Sequence, residues 1–501
     1  MSLLGLDIGS SAMKGVAFGA DGDAIAQAQA PYAVHSPRPG WLEADGDDIW
    51  NAFVGVVRRI GHGTDRDPVE ALALSCHGET LVLRDGEGRT LGGAIMNADN
   101  RAFEESDQIQ AIIGWEAEYR ISGVPPHAMF PLAKLAWLRK HERHVLDAAA
   151  QVHCLADFLL ARLDLPRVID PSLAGRTQLF DVHAGNWSAP LSEVVGLDTS
   201  RLAEVQPAGA LVGALDQSQA ALLGLPAGVK IVNGGHDQTC GALGLGVVEP
   251  GLMGDSAGSY ECLTVSGPSP VLGPAAIECR LNCYSHVVPG QYVTLAFFPS
   301  GVMVNWFVET LCGVGKADQG RWYQELESSA EIEPSGLAVY PHLVGACHPQ
   351  WNAQARAHIL GLTLNSTRAT IYRGILEGLA AEFANNHQIL SSLFPAAVRE
   401  VRVFGGGASS LLGLRLRAAA AGTRVRQARS REASCLGAAI LAGVGSGTFA
   451  SIREALAHQL DFQEPIEPEP ALAAWFEEYR TRYNRQFETL LGLIGERPHQ
   501  Q

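Results

Sequence analysis

The sequence predicts a layered α/β protein built as two similar domains. At 501 residues the chain exceeds what one hydrophobic core usually organises. Up to about residue 248, short apolar runs of strand length alternate with longer stretches of helical spacing, as expected when sheets are layered with helices. Near residue 250 the pattern starts again.

Leu3–Ile8 and Gly15–Phe18 read as strands joined by a tight turn, and Asp21-Gly22-Asp23 as a hairpin turn into Ala24–Ala30. Ala71–Ser75 and Thr80–Arg84 are further strands. Asp47–Ile60 and Phe130–His141 carry apolar residues at helical spacing, and Pro131 suits a first helical turn. In the second half Leu252–Gly258 leads through Ser259 into Tyr260–Val265, and Gln291–Phe298 adds a strand. The turn Asp255-Ser256-Ala257-Gly258-Ser259 loosely mirrors Asp7-Ile8-Gly9-Ser10-Ser11. Two related domains, residues 1–248 and 249–501, are therefore expected to face each other across a cleft, divided at Glu249-Pro250-Gly251. Trp475 to Ile494 reads as one amphipathic helix behind a stiff spacer of Pro465, Pro468 and Pro470.

Composition narrows the function classes. Lys and Arg number 37 against 53 Asp and Glu, a net charge of −16, with no basic cluster of any size. Nucleic acid and anionic membrane surfaces, which need concentrated Lys and Arg, are not expected partners. No apolar run approaches the ~20 residues of a membrane span, and the N-terminus lacks a charged-then-apolar leader. The nine cysteines are odd in number and scattered, with Cys279 and Cys283 the one close pair, so neither a disulfide framework nor a zinc site is expected. A cytoplasmic protein fits these features.

Four clusters carry candidate chemistry. In the opening turn Gly9 lets backbone approach a ligand, and the N–H groups around Ser10 and Ser11 can cradle phosphate oxygens. Asp7 stands where a strand ends, suited to a hydrated magnesium ion, and Lys14 supplies a cation. Asp237 follows an apolar strand ending in glycines; it suits a general base for a hydroxyl attacking a γ-phosphate, and read singly it also suits a helix N-cap, as many such aspartates do. Gly405, Gly406 and Gly407 give a flat wall for an adenine or ribose, next to a helix start. His77, Glu79, Asp99 and Arg101 bring mixed donors and acceptors to strand ends, as a polyol would need; taken singly, His77 reads as a satisfied core histidine and Arg101 with Asp99 as a structural ion pair. Arg424, Arg426, Arg429 and Arg431 read as the solvated face of an edge strand.

In order, these segments resemble the FGGY family of carbohydrate kinases. The likeness runs through Asp7-Ile8-Gly9-Ser10-Ser11, Gly40-Trp41-Leu42-Glu43, His77-Gly78, Asp99-Asn100-Arg101 and Lys134-Leu135-Ala136-Trp137-Leu138. It continues through Gly235-His236-Asp237-Gln238, Gly258-Ser259, Arg373 to Gly378, Gly405-Gly406-Gly407-Ala408 and Leu436-Gly437-Ala438-Ala439. The resemblance implies an actin-like (ribonuclease H-like) fold, two domains around a deep cleft, with ATP and Mg2+ as cofactors and a small sugar or polyol as substrate. It implies that Asp7 supports the metal, that Ser10, Ser11 and Lys14 face the phosphates, that Gly258 and Ser259 form a second phosphate turn, and that Asp237 is the base. Homodimers are common in such kinases, and the C-terminal helix is a candidate contact.

Departures bear on the substrate. Asn97 stands where the family often has Trp, Glu79 resembles the carboxylate of glycerol kinases beside a His77-Gly78 that resembles xylulose kinases, and Arg415 replaces a common Gln. The resulting expectation is a kinase for a pentulose such as xylulose, with glycerol, another polyol or an aldonate as alternatives. From a different class, a nucleotide-binding sensor on the same scaffold is the rival.

Overall fold

The computed structural model describes residues 1–315, 318–329 and 333–494. One six-stranded sheet holds β1 (Ser2–Ile8), β2 (Ala12–Phe18), β3 (Ala24–Pro31), β4 (Val69–Cys76), β5 (Leu211–Ala214) and β6 (Lys230–His236), in the order β5-β6-β4-β1-β2-β3. A second holds β7 (Leu252–Ala257), β8 (Tyr260–Gly267), β9 (Asn282–Ser285), β10 (Tyr292–Pro299), β11 (Glu400–Phe404) and β12 (Arg424–Gln427), in the order β9-β10-β8-β7-β11-β12. In both, an antiparallel meander (β1-β2-β3 or β7-β8-β10) continues on the other side of its first strand into two parallel strands, β4 and β6 or β11 and β12. The faint echo between residues 7–11 and 255–259 is thus a repeat of topology. The fold is the expected actin-like pair of α/β domains.

The patterning explains which strands lie where. β1 is apolar along nearly its whole length and buried on both faces, as a strand covered by helices on both sides must be. β3, at the edge, alternates partly buried alanines with exposed residues. Seven helices matter below: α1 (Gly46–Gly63), α2 (Pro131–His141), α3 (Asp237–Gly244), α4 (Arg368–Ser392), α5 (Leu411–Ala421), α6 (Ala433–Ser446) and α7 (Pro470–Ile494). On α1, Ile49, Phe53, Val56, Val57 and Ile60 recur at helical spacing and are buried against the first sheet, while the Asp45 side chain caps its start by accepting from the Asp47 amide.

Although α6 lies in the second half of the sequence, it packs on the first sheet. Leu436, Ala438 and Ile440 join one core with Leu3, Val16, Val232, Cys240 and Leu243. Its contact with α3 is close enough to require glycine: a Cβ at Gly437 would stand 1.9 Å from the Cys240 carbonyl oxygen. This helix pair therefore ties the two halves together at the base of the cleft, and both helices start at the same edge of the first sheet.

Two local expectations are corrected. The strand expected over 80–84 is only Val82–Arg84, because the Thr80 amide is held in a tight turn by the Gly78 carbonyl. Pro470 is the first residue of α7 rather than part of the spacer before it. Phe476, Tyr479, Tyr483 and Phe487 of α7 are buried in their own domain, with Tyr340 stacked on Tyr483 and Phe487. That apolar stripe is spent within the chain's own core.

Candidate active site

Three parallel strands end together. Ile8 of β1 lies opposite Cys76 of β4, and Cys76 opposite His236 of β6. Gly9, His77 and Asp237 therefore leave the sheet side by side at the strand C-termini, where α/β sheets bind ligands. In the second sheet Ser256 lies opposite Phe404, which brings Gly258 and Ser259 beside Gly405, Gly406 and Gly407. Gly405 has φ 97°, and a Cβ there would meet the Ala257 carbonyl oxygen at 2.8 Å, so the two segments touch only because it is glycine. The Gly258-Ser259 turn is fastened by amides at the start of helix Gly301–Trp306: Gly301 donates to the Gly258 carbonyl and Ser300 to that of Ser259, each at 3.1 Å. Beneath it Arg417 makes two 2.7 Å bonds to the buried Glu261, which also accepts from Ser300 Oγ. Ser10, Ser11 and Ser259 are all exposed at their turns.

Asp7 accepts from Ser75 Oγ at 2.8 Å. Burial pushes its carboxyl up to about 6; Glu432 adds to the rise, while Ser75 and Lys14 oppose it. Lys14, across the β1–β2 register from Asp7, places Nζ 2.8 Å from Glu432 Oε1.

Asp237 is not the helix cap. That position is His236, and Asp237 is the first residue of α3. Its Oδ1 accepts from the next amide, Gln238, at 2.6 Å and lies 3.2 Å from His236 Nε2. Oδ2 carries no hydrogen bond among the described residues, and the side chain is 24% exposed. Burial drives this carboxyl well above the usual range, with Asp7 and Glu79 adding and the Gln238 amide and Arg176 opposing. A carboxylate with a raised proton affinity and one open oxygen is suited to accept a hydroxyl proton.

Glu79 stands beside this group with a left-handed backbone, φ 69°, uncommon for a residue with a side chain. Two bonds hold it there, and the donor of each reaches a further partner. Arg176 Nε donates to Glu79 Oε1 at 2.6 Å, and Arg176 Nη1 continues to Asn282 Oδ1 in the second half at 3.0 Å. Lys134 Nζ, fully buried, donates to the carbonyls of Glu79 at 2.7 Å and Met96 at 2.8 Å, joining the Glu79 loop to the segment that carries Asn97. Arg176 went unread in the sequence, since a lone arginine in a loop carries no periodicity. Lys134 lay in a quoted motif without a role.

Three expected sugar ligands are occupied elsewhere. His77 Nδ1 lies 2.9 Å from the Ile8 carbonyl and Nε2 2.8 Å from Thr80 Oγ1, so both ring nitrogens are engaged. Asp99 is fully buried: Oδ1 accepts from the amide and Nε of Arg101, and Oδ2 from the Leu42 amide and Arg101 Nη2. Arg101 also reaches Glu43 Oε1 at 2.7 Å and lies over the Trp41 ring at 4.0 Å. In this structure all three make the contacts that the structural readings describe, and so brace the loops around Glu79 and Asn97.

Among the described residues no group of three or more His, Cys, Asp or Glu could cage a metal. Magnesium needs no cage; it keeps most of its water and takes one or two carboxylates together with phosphate oxygens. Asp7 beside the turn at residues 9–11 fits that demand. Among the same residues no helix is long and apolar enough to cross a membrane.

Comparison with known proteins agrees with this geometry. The N-terminal domain of the FGGY family of carbohydrate kinases matches residues 2–244, and the C-terminal domain of that family matches residues 256–446. An autoinducer-2 kinase of Escherichia coli is 29% identical, over 98% of this chain and 95% of its own. Among solved structures, xylulose kinase from Rhodospirillum rubrum superposes with a TM-score of 0.86 at 24% identity, covering 99% of this chain and 100% of that one. Gluconate kinase from Lactobacillus acidophilus gives 0.89 at 20% identity, covering 99% of each. The chain belongs to the FGGY family of carbohydrate kinases. It is a sugar kinase, a phosphotransferase with an alcohol group as acceptor, and the sensor alternative is not retained.

Proposed function

We propose that this enzyme moves the γ-phosphate of ATP to a hydroxyl of a small ketose or polyol, with Asp237 as the general base. The observation that carries the reading is the open Oδ2 of Asp237 at the strand ends where the phosphate turn of the first sheet also emerges. The acceptor hydroxyl gives its proton to that oxygen as it attacks. Amides around Gly9, Ser10 and Ser11, with Lys14, grip the phosphates from one side, and Gly258 and Ser259 from the other. The adenine lies along Gly405 to Gly407, toward a pocket of about 500 Å³ lined by Leu411, Leu412, Arg415 and Trp475. Asp7 would hold magnesium through water, and the ion would offset charge on the terminal phosphates. Closure of the cleft expels water that would compete as acceptor.

For the acceptor, Glu79, Arg176 and Asn97 present a polar surface, which favours a substrate with several hydroxyls and suits a pentulose such as xylulose. Curated relatives named autoinducer-2 kinases make autoinducer-2 the second candidate. A coupled ADP-release assay across pentuloses, hexuloses, polyols, tetritols, aldonates and autoinducer-2 separates them. One class should raise turnover far above the background ATPase; a flat response across the panel would overturn the reading.

A further inference from the structure

We infer that Glu432 acts as a counter-ion for Lys14 that makes nucleotide binding depend on magnesium. The inference rests on the reading that nucleotide phosphates bind at Gly9 to Ser11. Lys14 and Glu432 are 418 positions apart, yet Nζ and Oε1 lie 2.8 Å from each other, each side chain about one-third exposed at 35% and 29%. Both sit on rigid elements. Lys14 is opposite Asp7 on β2, and α6 is seated so tightly on β1 that a Cβ at Gly5 would overlap the Cys435 carbonyl, at 1.8 Å.

Glu432 occupies the N-cap position of α6, where a Ser, Thr, Asp or Asn side chain ordinarily bonds the first free amides. Here it makes no such bond and turns to Lys14 instead. Its charge reaches Asp7 as well, where it reinforces the effect of burial. The groups acting on Asp7 are thus Ser75, Glu432 and Lys14, and Asp7 in turn acts on Asp237. Among the described residues Lys14, at the first turn, is thus paired, and the carboxyl groups of Asp7, Asp237 and Glu432 lie around the place the phosphates would enter.

A metal-free polyphosphate arriving there meets like charge and a lysine already paired. A magnesium-bearing one brings its own positive charge toward Asp7 and Glu432. Lys14 can then turn from Glu432 to a phosphate oxygen at little cost, since a partly exposed ion pair contributes little by itself. Glu432 is therefore a positioning residue: it acts through Lys14 and through the field at Asp7.

Calorimetric titration of ADP, with excess magnesium and with a chelator, into wild type, Glu432→Gln and Glu432→Ser tests this. Serine keeps a capping group and removes the charge, so a fold defect in the glutamine variant leaves the test intact. Both variants should bind metal-free ADP about fivefold more tightly than wild type, the order expected for one partly buried charge. The gain conferred by magnesium should shrink to match. A mere structural brace gives the opposite sign, because its loss weakens binding with and without metal. Metal-free affinity unchanged or reduced in the variants overturns the inference. Wild type that binds no ADP even with magnesium would instead overturn the nucleotide reading on which it rests.

Discussion

Arg176 donates from Nε to Glu79 Oε1 at 2.6 Å, and Glu79 takes a left-handed backbone, φ 69°, at that position. One bond thus fixes a strained loop of the first half, and the same guanidinium reaches Asn282 in the second. The Glu79 loop, where we propose the acceptor binds, is held in shape by these bonds.

This pair has two consequences for mutants. A side chain in the left-handed region costs roughly 1 kcal/mol that glycine avoids, so Glu79→Gly should be more stable than Glu79→Ala by about that amount. Both remove the carboxylate, so lost pairing cancels in the comparison. Glu79→Gln should raise the sugar KM about tenfold and leave the ATP KM within about twofold, as expected when one buried polar contact is weakened. Chemical denaturation and two-substrate kinetics measure these, and an ATP KM that moves as far as the sugar KM would contradict the assignment.

Asp99 should behave as part of the scaffold. Its four hydrogen bonds make Asp99→Asn destabilising by about 1–3 kcal/mol, the cost of buried hydrogen bonds left unmet, because Glu43 still pairs with Arg101. The sugar KM of the folded fraction should hardly change. A large rise in KM at unchanged Tm would return Asp99 to the list of sugar ligands.

Much of this was legible in the sequence, and the boundary has physical causes. The strands, the two turns at residues 9–11 and 258–259 and the strand-end position of Asp237 declare themselves through apolar runs that stop at glycine, carboxylate and hydroxyl residues. What periodicity cannot show is where a saturated polar group spends its bonds. His77 and Asp99 look like ligands because they are polar at strand ends, yet Ile8, Thr80, Leu42 and Arg101 already use them. Arg176 and Glu432 are hidden for the converse reason: each earns its place through a partner roughly a hundred or more residues away, and only the folded chain brings them together.

The pH dependence should trace to Asp7. Its carboxyl, raised by burial to about 6 from an ordinary value of 3.8, must be ionised to hold a metal. Magnesium affinity should therefore fall as pH drops through about 6, and Asp7→Asn should lack that limb. For stability the sign is the reverse. Between about 4 and 6 the folded state binds more protons than the unfolded one, so the Asp7 contribution falls as pH rises through that window. Asp7→Asn should then melt higher than wild type at pH 7 and converge on it near pH 4. A lower Tm at pH 7 would show that the charge is not a burden in the ligand-free protein.

The most direct test is the turnover of Asp237→Asn. Asparagine keeps the shape and the bond from the Gln238 amide but cannot take a proton from the acceptor hydroxyl. Losing a general base typically lowers rate on the order of 10²–10⁴-fold. The account predicts a kcat reduced by that order, with ADP and sugar affinities by calorimetry within about threefold of wild type and Tm unchanged or raised, since the buried charge is gone. Turnover within threefold of wild type in a folded, ligand-binding variant would contradict the central claim and assign the base elsewhere in the cleft.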